Sequence, residues 1–204
     1  TVIVYSFFQS GCTLCTSKKV TCPAFKDSAF FKWFPYKENQ HLVYKDLKTG
    51  DTLGFVIASV YQTPQTDVNT GGYGGGSRYC VAEASISAVS NNNTNSSLSI
   101  NYQTPNDLNG NNTFKGLYIY LNSNQWYAGA ILDTTIEKQE GTVNTVETIY
   151  NVIFENGITY PQLLTFTQDT TGTKEDKPYK LYIAKNTGIV GFEMYPSKQK
   201  WILQ

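Results

Sequence analysis

The cysteines are the residues whose spacing most directly suggests chemistry. There are four, Cys12, Cys15, Cys22 and Cys80. Cys12 and Cys15 form a Cys-x-x-Cys pair, the spacing of dithiol redox sites in which a helix N-terminus lowers the pKa of the first thiol. The β-branched residues and Pro23 that follow disfavour a long helix at this place. A thiol-disulfide oxidoreductase using Cys12 and Cys15 is therefore an alternative function, not the preferred one.

Cys12 also has a second interpretation, as a site of lipid attachment. Residues 1–8 are an apolar run, and residues 1–11 are expected to be the remnant of a secretory signal peptide. Ser10-Gly11-Cys12 resembles a bacterial lipoprotein signal, in which small residues precede the cysteine that is lipidated, although Gln9 departs from that pattern. Residues 12–24 would then be a tether. The alternative for residues 2–8 is a first β-strand.

The two remaining cysteines suggest a structural disulfide. Our preferred disulfide joins Cys22 to Cys80, because it would close a long loop and contribute a few kcal/mol in the chain-entropy model, on the order of 3–5. A metal site is not predicted, since His41 is the only histidine and there is no second Cys-x-x-Cys. No cofactor is predicted either.

No catalytic residue is predicted from the rest of the chain. Nucleophilic catalysis by Ser or Cys usually needs a histidine base, and His41, at the start of a predicted strand, is expected to face solvent. A carboxylate-based hydrolase is a further alternative, for which Glu137, Glu140, Glu147 and Glu155 are candidates only in being acidic. Each is expected to be a solvated strand or turn residue.

Composition narrows the class of partner. The chain has 204 residues, and its 16 basic and 16 acidic residues cancel. Nucleic-acid binding is not expected, because it needs clustered Lys and Arg. No run of about 18 apolar residues is present, so no membrane-spanning helix is predicted.

The elements that must position these residues are predicted to be antiparallel strands. Thr, Val, Ile and Tyr alternate between turn residues, most clearly over 148–203, where turns are expected at 155–157, 186–188 and 196–197. Residues 158–160 and 163–167 are predicted as separate strands, and residues 63–77 as a loop. We expect an all-β, mainly antiparallel single domain over 25–204. Its form would be a curved sheet, a half-barrel or a sandwich, with one short helix near residues 25–34.

The short helix carries aromatic side chains at helical spacing, Phe30, Trp33 and Phe34 among them. We expect it to end at Pro35 and to act as a plug that packs aromatic rings on the sheet. A less favoured interpretation makes exposed aromatics a binding surface, with Trp33, Tyr36 and Trp126 as its candidate residues.

Both ends of the chain resemble a known family. A hairpin with a Gly50-Asp51 turn follows a Pro35-Tyr36 element, and the chain closes with Gly188-Ile189-Val190-Gly191-Phe192-Glu193 and Trp201-Ile202-Leu203. These motifs are similar to those of uncharacterised secreted lipoproteins of the Bacteroidetes. The resemblance leaves the centre of the chain unmatched. It implies an exported, membrane-anchored β domain and brings no catalytic residues.

The function predicted from sequence is therefore a non-catalytic, lipid-anchored protein of the cell envelope. It would be held to the membrane through the lipid on Cys12, on the periplasmic side or at the cell surface. It would bind a protein partner, a glycan or an apolar ligand. The sequence does not identify that ligand or the oligomeric state.

Overall fold

The computed structural model describes residues 29–62, 66–69, 78–91, 96–107, 116–122, 124–128 and 145–204. They form one helix, α1 (Ala29–Trp33), and twelve strands: β1 (His41–Asp46), β2 (Thr52–Gln62), β3 (Thr66–Asn69), β4 (Arg78–Ser90), β5 (Ser97–Asp107), β6 (Gly116–Leu121), β7 (Asn124–Ala128), β8 (Thr145–Ile153), β9 (Thr159–Thr167), β10 (Lys177–Ala184), β11 (Gly188–Tyr195) and β12 (Lys200–Leu203). The predicted all-β class, with one short helix, is confirmed.

The described strands belong to one antiparallel sheet that curls into a half-barrel. Their order is β7-β6-β5-β4-β2-β1-β12-β11-β10-β9-β8, with β3 pairing beside β4. The pair β1 and β12 lies in the middle of this order, so early and late parts of the chain meet there; Tyr44 is opposite Leu203. Of the three predicted architectures, the half-barrel is the one observed.

The concave face of the sheet is filled by a single apolar cluster. It joins strands from distant positions in the sheet, such as β6 and β9, and therefore lies on the side towards which the sheet curls. The predicted plug lies inside it: Phe30, Trp33 and Phe34 are 0% exposed. The ring of Phe30 stacks on that of Tyr102, with centroids 5.9 Å apart. Burying each of these rings contributes on the order of 1.5–3 kcal/mol.

A smaller apolar cluster lies on the opposite, convex face of strands β9 to β12 and the turn before β9. Alternation along β10 shows the two faces directly, because Leu181 and Ile183 join the concave cluster whereas Tyr182 and Ala184 join the convex one. The convex cluster contains Phe154, Tyr160, Leu163, Tyr182, Ala184, Val190 and Ile202.

Strand β8 changes face partway along its length. Val146 packs against the concave cluster and Val152 against the convex one, although an even spacing should place both on the same face. Between them Asn151 has a φ of 50°, in the left-handed region. Pairing with β9 keeps its register across this point, with Tyr150 opposite Gln162 and Val152 opposite Tyr160. Asn151 therefore turns the following side chains to the other face of the sheet, while the pairing register with β9 is unchanged.

Two details of the predicted strands were wrong. The two predicted strands, 158–160 and 163–167, are one strand, β9 (Thr159–Thr167), which runs through Pro161. Proline is tolerated there because β10 pairs with β9 only from Leu163 onwards, so no hydrogen bond to β10 is lost. The predicted loop over 63–77 contains the short strand β3, which pairs with β4.

The edge strand β7 contacts the far half of the strand order through one side chain, that of Asn124. Asn124, at the start of the edge strand β7, donates from Nδ2 to Gln168 Oε1 at 2.7 Å and to the Pro178 carbonyl oxygen at 2.5 Å. These acceptors belong to β10 and to the residues just after β9, on the other side of the half-barrel. No helix in the described part of the chain is long and apolar enough to cross a membrane.

Candidate functional site

The structure places two of the predicted binding residues in the core. Trp33 is 0% exposed and Tyr36 4% exposed. The Ile189 N–H donates to Tyr36 Oη at 2.7 Å, and Tyr44 Oη donates to the Ile189 carbonyl oxygen at 3.0 Å. Burial raises the pKa of Tyr36 well above its ordinary value, outweighing the hydrogen bond from the Ile189 N–H and the nearby Tyr44 hydroxyl. Both residues therefore act in packing, which does not favour a binding role for them.

Several other predicted residues lie outside the part of the chain that the structure describes. These are Cys12, Cys15, Cys22, Glu137 and Glu140, with the side chains of Cys80 and Trp126. Lipid attachment at Cys12 and the Cys22–Cys80 disulfide accordingly stay predictions. The predicted signal remnant (residues 1–11) and the predicted tether (residues 12–24) also lie outside the described part of the chain. His41 is at the first position of β1 and is exposed, as expected.

Among the described residues, charged and hydroxyl groups converge around Lys200 on the convex face. Its Nζ lies 3.1 Å from Glu193 Oε1 and also contacts Glu155 Oε1. Tyr179 Oη donates to Glu193 Oε2 at 2.9 Å, and Tyr182 Oη donates to Glu193 Oε1. Glu193 is thus the common acceptor of two hydroxyls and one ammonium. We call these five residues the Lys200 network.

Aromatic rings complete the surroundings of the Lys200 ammonium. Nζ lies 5.0 Å from the centroid of the Tyr182 ring and 5.9 Å from that of Phe154, distances at which the electron-rich ring face attracts a cation. Its side chain is 23% exposed and that of Glu193 20% exposed, so both charges are partly withdrawn from water. The network is a half-buried polar centre set in the convex apolar cluster.

The pKa values of the network follow from these contacts. Burial raises the pKa of Glu193, but the hydrogen bonds from Tyr182, Tyr179 and Lys200 outweigh it and the net shift is downwards. Burial lowers the pKa of Lys200, but Glu155 and Glu193 outweigh it and the net shift is upwards. Burial is the larger cause and the neighbouring Glu193 carboxylate the smaller one, and together they raise the pKa of Tyr179 to about 12. At neutral pH the carboxylate and ammonium are charged and the phenols are neutral.

This arrangement does not suit acid-base catalysis. A glycosidase acid needs a carboxyl group whose pKa is raised so that it can deliver a proton. Here Glu155 and Glu193 share one ammonium, and the pKa of Glu193 is shifted the other way. The two carboxylates lie near each other, as a hydrolase would need, but both are ion-pair partners of the Lys200 ammonium. Glu147, the other described candidate, is exposed on β8.

A half-open cleft of about 480 Å³ adjoins the network on the convex face. One wall is the β1–β2 turn, the other is the β8–β9 turn, and the end of β12 forms the floor. Its lining residues are Lys45, Asp46, Leu47, Gly50, Glu155, Asn156, Ile158, Ile202, Leu203 and Gln204. It is unlike the concave face, which the chain fills with its own helix.

Lys200 connects both walls of this cleft. Its carbonyl oxygen accepts the Leu47 N–H at 3.0 Å, and its N–H donates to the Asp46 carboxylate, which fixes the β1–β2 turn. Its ammonium binds Glu155, which fixes the β8–β9 turn. One residue of β12 therefore sets the separation of the two walls.

Each turn is also held by its own hydrogen bonds. Asp46 is 0% exposed, and its carboxylate accepts the Lys48 N–H at 3.0 Å and the Thr49 hydroxyl at 2.9 Å. Burial raises the Asp46 pKa, and these bonds more than reverse that effect. Across the cleft, Asn156 Oδ1 accepts the Ile158 N–H at 3.0 Å and Nδ2 donates to Tyr160 Oη at 2.9 Å. The walls are preorganised before any ligand binds.

Lys200 and Glu193 are not among the residues predicted from the sequence, although a signal for them is present. A two-residue turn at Pro196 and Ser197 pairs residue 193 with residue 200, as the structure has it. Opposite charges on directly paired residues of a hairpin are a recognised cross-strand contact. The contribution of Glu155 could not be found this way, since it comes from a hairpin that is distant in the sheet order.

Comparison of the chain with protein-family models, with curated proteins and with solved structures gave no match to any of them. The resemblance to Bacteroidetes lipoproteins therefore stays a prediction from the motifs quoted above.

Proposed function

We propose that this protein is a non-catalytic binding domain of the cell envelope, exported and anchored to the membrane by a lipid on Cys12. In this proposal the β domain binds a partner through the convex-face cleft. The anchoring is supported by the order of residues before Cys12, an apolar run followed by Ser10 and Gly11.

The observation that carries the binding proposal is the cleft braced by Lys200. A site that positions its walls in advance loses less entropy when a ligand binds. The concave face offers no comparable argument for an apolar ligand, because Phe30, Trp33 and Phe34 occupy it. Binding is therefore assigned to the outside of the half-barrel.

Lipid attachment is tested by labelling with palmitate in the native host. We expect the wild-type chain to incorporate label and the Cys12→Ala variant to lose it. Cys15→Ala is the matched control and should keep the label, because only Cys12 follows the small residues. An unlabelled wild-type chain, or equal labelling of both variants, would refute the anchoring.

The thiol-oxidoreductase alternative, which uses Cys12 and Cys15, predicts that the purified protein reduces insulin and that Cys15→Ser abolishes this activity. The present proposal predicts that wild type and Cys15→Ser are equally inert. Reduction by the wild-type protein alone would replace the proposed function with a redox one.

A further inference from the structure

We propose that a second surface, on the convex face of strands β2, β4, β5 and β6, binds a neutral oligosaccharide. We call it the Ser/Tyr surface, and it consists of Ser59, Tyr61, Ser85, Ser87, Ser99, Asn101, Tyr118 and Tyr120. It shares no residue with the convex-face cleft, so the inference goes beyond the proposed function.

Cross-strand pairing arranges these eight residues in two rows that run across the sheet. The first row is Ser59, Ser87, Ser99 and Tyr120, and the second is Tyr61, Ser85, Asn101 and Tyr118. Their neighbours along each strand, such as Ile86 and Ile100, belong to the concave cluster, so both rows lie on the opposite face. Each row therefore joins small polar side chains to a tyrosine on β6.

A β-bulge turns the end of β2 so that it contributes to these rows. Pairing with β4 skips Ala58, between Ile57 and Ser59. Ile57 lies in the concave cluster and Val60 packs against it, although the two are three residues apart. Without the bulge, alternation would place Ser59 and Tyr61 on the concave face. With it, Tyr61 is 47% exposed on the convex one.

The floor of the Ser/Tyr surface is held in place by its own hydrogen bonds. Ser59 Oγ and Ser87 Oγ share one at 2.8 Å. Asn101 Oδ1 accepts from Ser85 Oγ at 2.5 Å and from Ser99 Oγ at 3.5 Å, whereas its Nδ2 donates to no described residue. Hydroxyl and amide groups can make further hydrogen bonds as donors and acceptors. The floor therefore offers both kinds of partner to the hydroxyls of a sugar.

Tyrosine side chains border the second row at both ends. Tyr61 on β2 and Tyr118 on β6 are separated by three strand spacings, roughly 14 Å. The face of an aromatic ring is electron-rich and attracts the C–H groups of a sugar. A sugar chain lying between the two tyrosines could pack against the exposed Tyr61 ring and direct its hydroxyls towards Asn101.

The composition and size of the Ser/Tyr surface favour a neutral sugar over a protein partner. None of its eight residues is charged or aliphatic, whereas protein interfaces have an apolar core. From strand geometry the two rows span an area on the order of 100 Å². A stable protein interface covers about 800 Å² of each partner. The surface is therefore large enough for a few sugar units and too small for a protein.

The test is an NMR titration of the whole ¹⁵N-labelled chain with four neutral hexasaccharides: cellohexaose, maltohexaose, mannohexaose and chitohexaose. Hexagalacturonate, which carries a carboxylate on every sugar unit, is the charged control. We expect at least one neutral sugar to cause saturable shifts of the Ser85, Ser87 and Asn101 amides. Hexagalacturonate should bind about tenfold more weakly, because its carboxylates would lose water without gaining a cation.

Three variants locate the site with the sugar that binds most tightly. Tyr61→Ala should lower the affinity about tenfold, the value of one aromatic contact. Asn101→Asp keeps the acceptor for Ser85 but removes the amide donors, and should lower the affinity by a similar factor, about tenfold. Tyr150→Ala is the matched control, since this tyrosine is 67% exposed on β8, and should change nothing. Both alanine variants replace exposed side chains and should keep the dispersed spectrum of the wild type.

No saturable shift with any neutral sugar, an unchanged affinity of Tyr61→Ala, or an equal loss in Tyr150→Ala would each overturn the inference. Hexagalacturonate binding as tightly as the neutral sugars would overturn it too. Shifts confined to the Leu47 and Ile158 amides would assign sugar binding to the convex-face cleft and refute this surface. Any of these would leave lipid attachment at Cys12 standing, since palmitate labelling tests that separately.

Discussion

The hydroxyl of Tyr36 lies against Gly188, so close that a Cβ at residue 188 would overlap the phenol ring. The same hydroxyl accepts the N–H of Ile189 at 2.7 Å. Gly188 also has a φ of 96°, a conformation that glycine adopts at little cost. Two separate requirements, space and backbone conformation, thus fix glycine at the start of β11.

Gly188→Ala should therefore destabilise the protein by more than its backbone strain alone, by about 3 kcal/mol or more. Gly157→Ala and Gly172→Ala are matched controls. Their φ values, 78° and 71°, are also left-handed, but nothing lies within 4 Å of a Cβ at either position. Urea unfolding should show a cost of about 1–2 kcal/mol for each control. A loss for Gly188→Ala no larger than that of the controls would contradict the contact with Tyr36.

Removing the Lys200 ammonium should destabilise the fold and loosen the cleft. Lys200→Met keeps most of the side-chain volume but leaves Glu193 without its cation, and we expect a loss of about 1–3 kcal/mol by urea unfolding. Lys174→Met, at an exposed position in the connection between β9 and β10, is the control and should stay within about 0.5 kcal/mol of wild type. Equal midpoints for the two variants would show that the network contributes nothing to stability.

The Glu193 contribution should depend on pH in a defined direction. Its pKa in the folded protein is below the ordinary value of 4.5, so the stabilisation is present above that value and is lost as pH falls through the lowered pKa. The difference in unfolding free energy between wild type and Glu193→Gln should be about 1–3 kcal/mol at pH 7. It should shrink below about pH 4.5.

The control for this pH series is Glu175→Gln, at an exposed position between β9 and β10. Its difference from wild type should stay small across the same range. A Glu193→Gln difference that is flat from pH 7 to pH 3, or that grows towards acid, would contradict the downward pKa shift.

Asn151 should tolerate glycine but not a β-branched residue. The left-handed φ of 50° is available to glycine and strained for valine. We expect Asn151→Gly to stay within about 0.5 kcal/mol of wild type and Asn151→Val to lose about 2 kcal/mol. Chemical denaturation of both variants is the measurement. If valine were accepted as readily as glycine, the change of face along β8 would not depend on this backbone conformation.

Local features of the fold were predictable from sequence wherever turn chemistry determined them. Gly50, Gly157 and Gly188 all adopt left-handed φ values at turns that the sequence indicated. In β1 exposed and buried side chains alternate, and this alternation likewise follows from the sequence pattern of the strand. The plug was predictable because Phe30, Trp33 and Phe34 have helical spacing and Pro35 ends the run.

Strand order was not predictable, and the candidate site depends on it. The cleft needs the β1–β2 turn and the β8–β9 turn on either side of β12, a relationship that periodicity along one strand does not contain. The turn that contains Glu155 was predictable from its local sequence, but its position beside Lys200 was not. Likewise, Trp33 and Tyr36 became core residues because the sheet curls over them.

The pairing of β1 with β12 has a consequence for secretion. If the chain is exported with its N-terminus first, as we propose, β1 reaches the far side of the membrane long before its partner. Until β12 arrives, the edge of β1 that will pair with it has unpaired backbone N–H and C=O groups, which another extended chain could bind. A holding factor outside the membrane, or a fast and concerted release of the last residues, would protect that nascent edge.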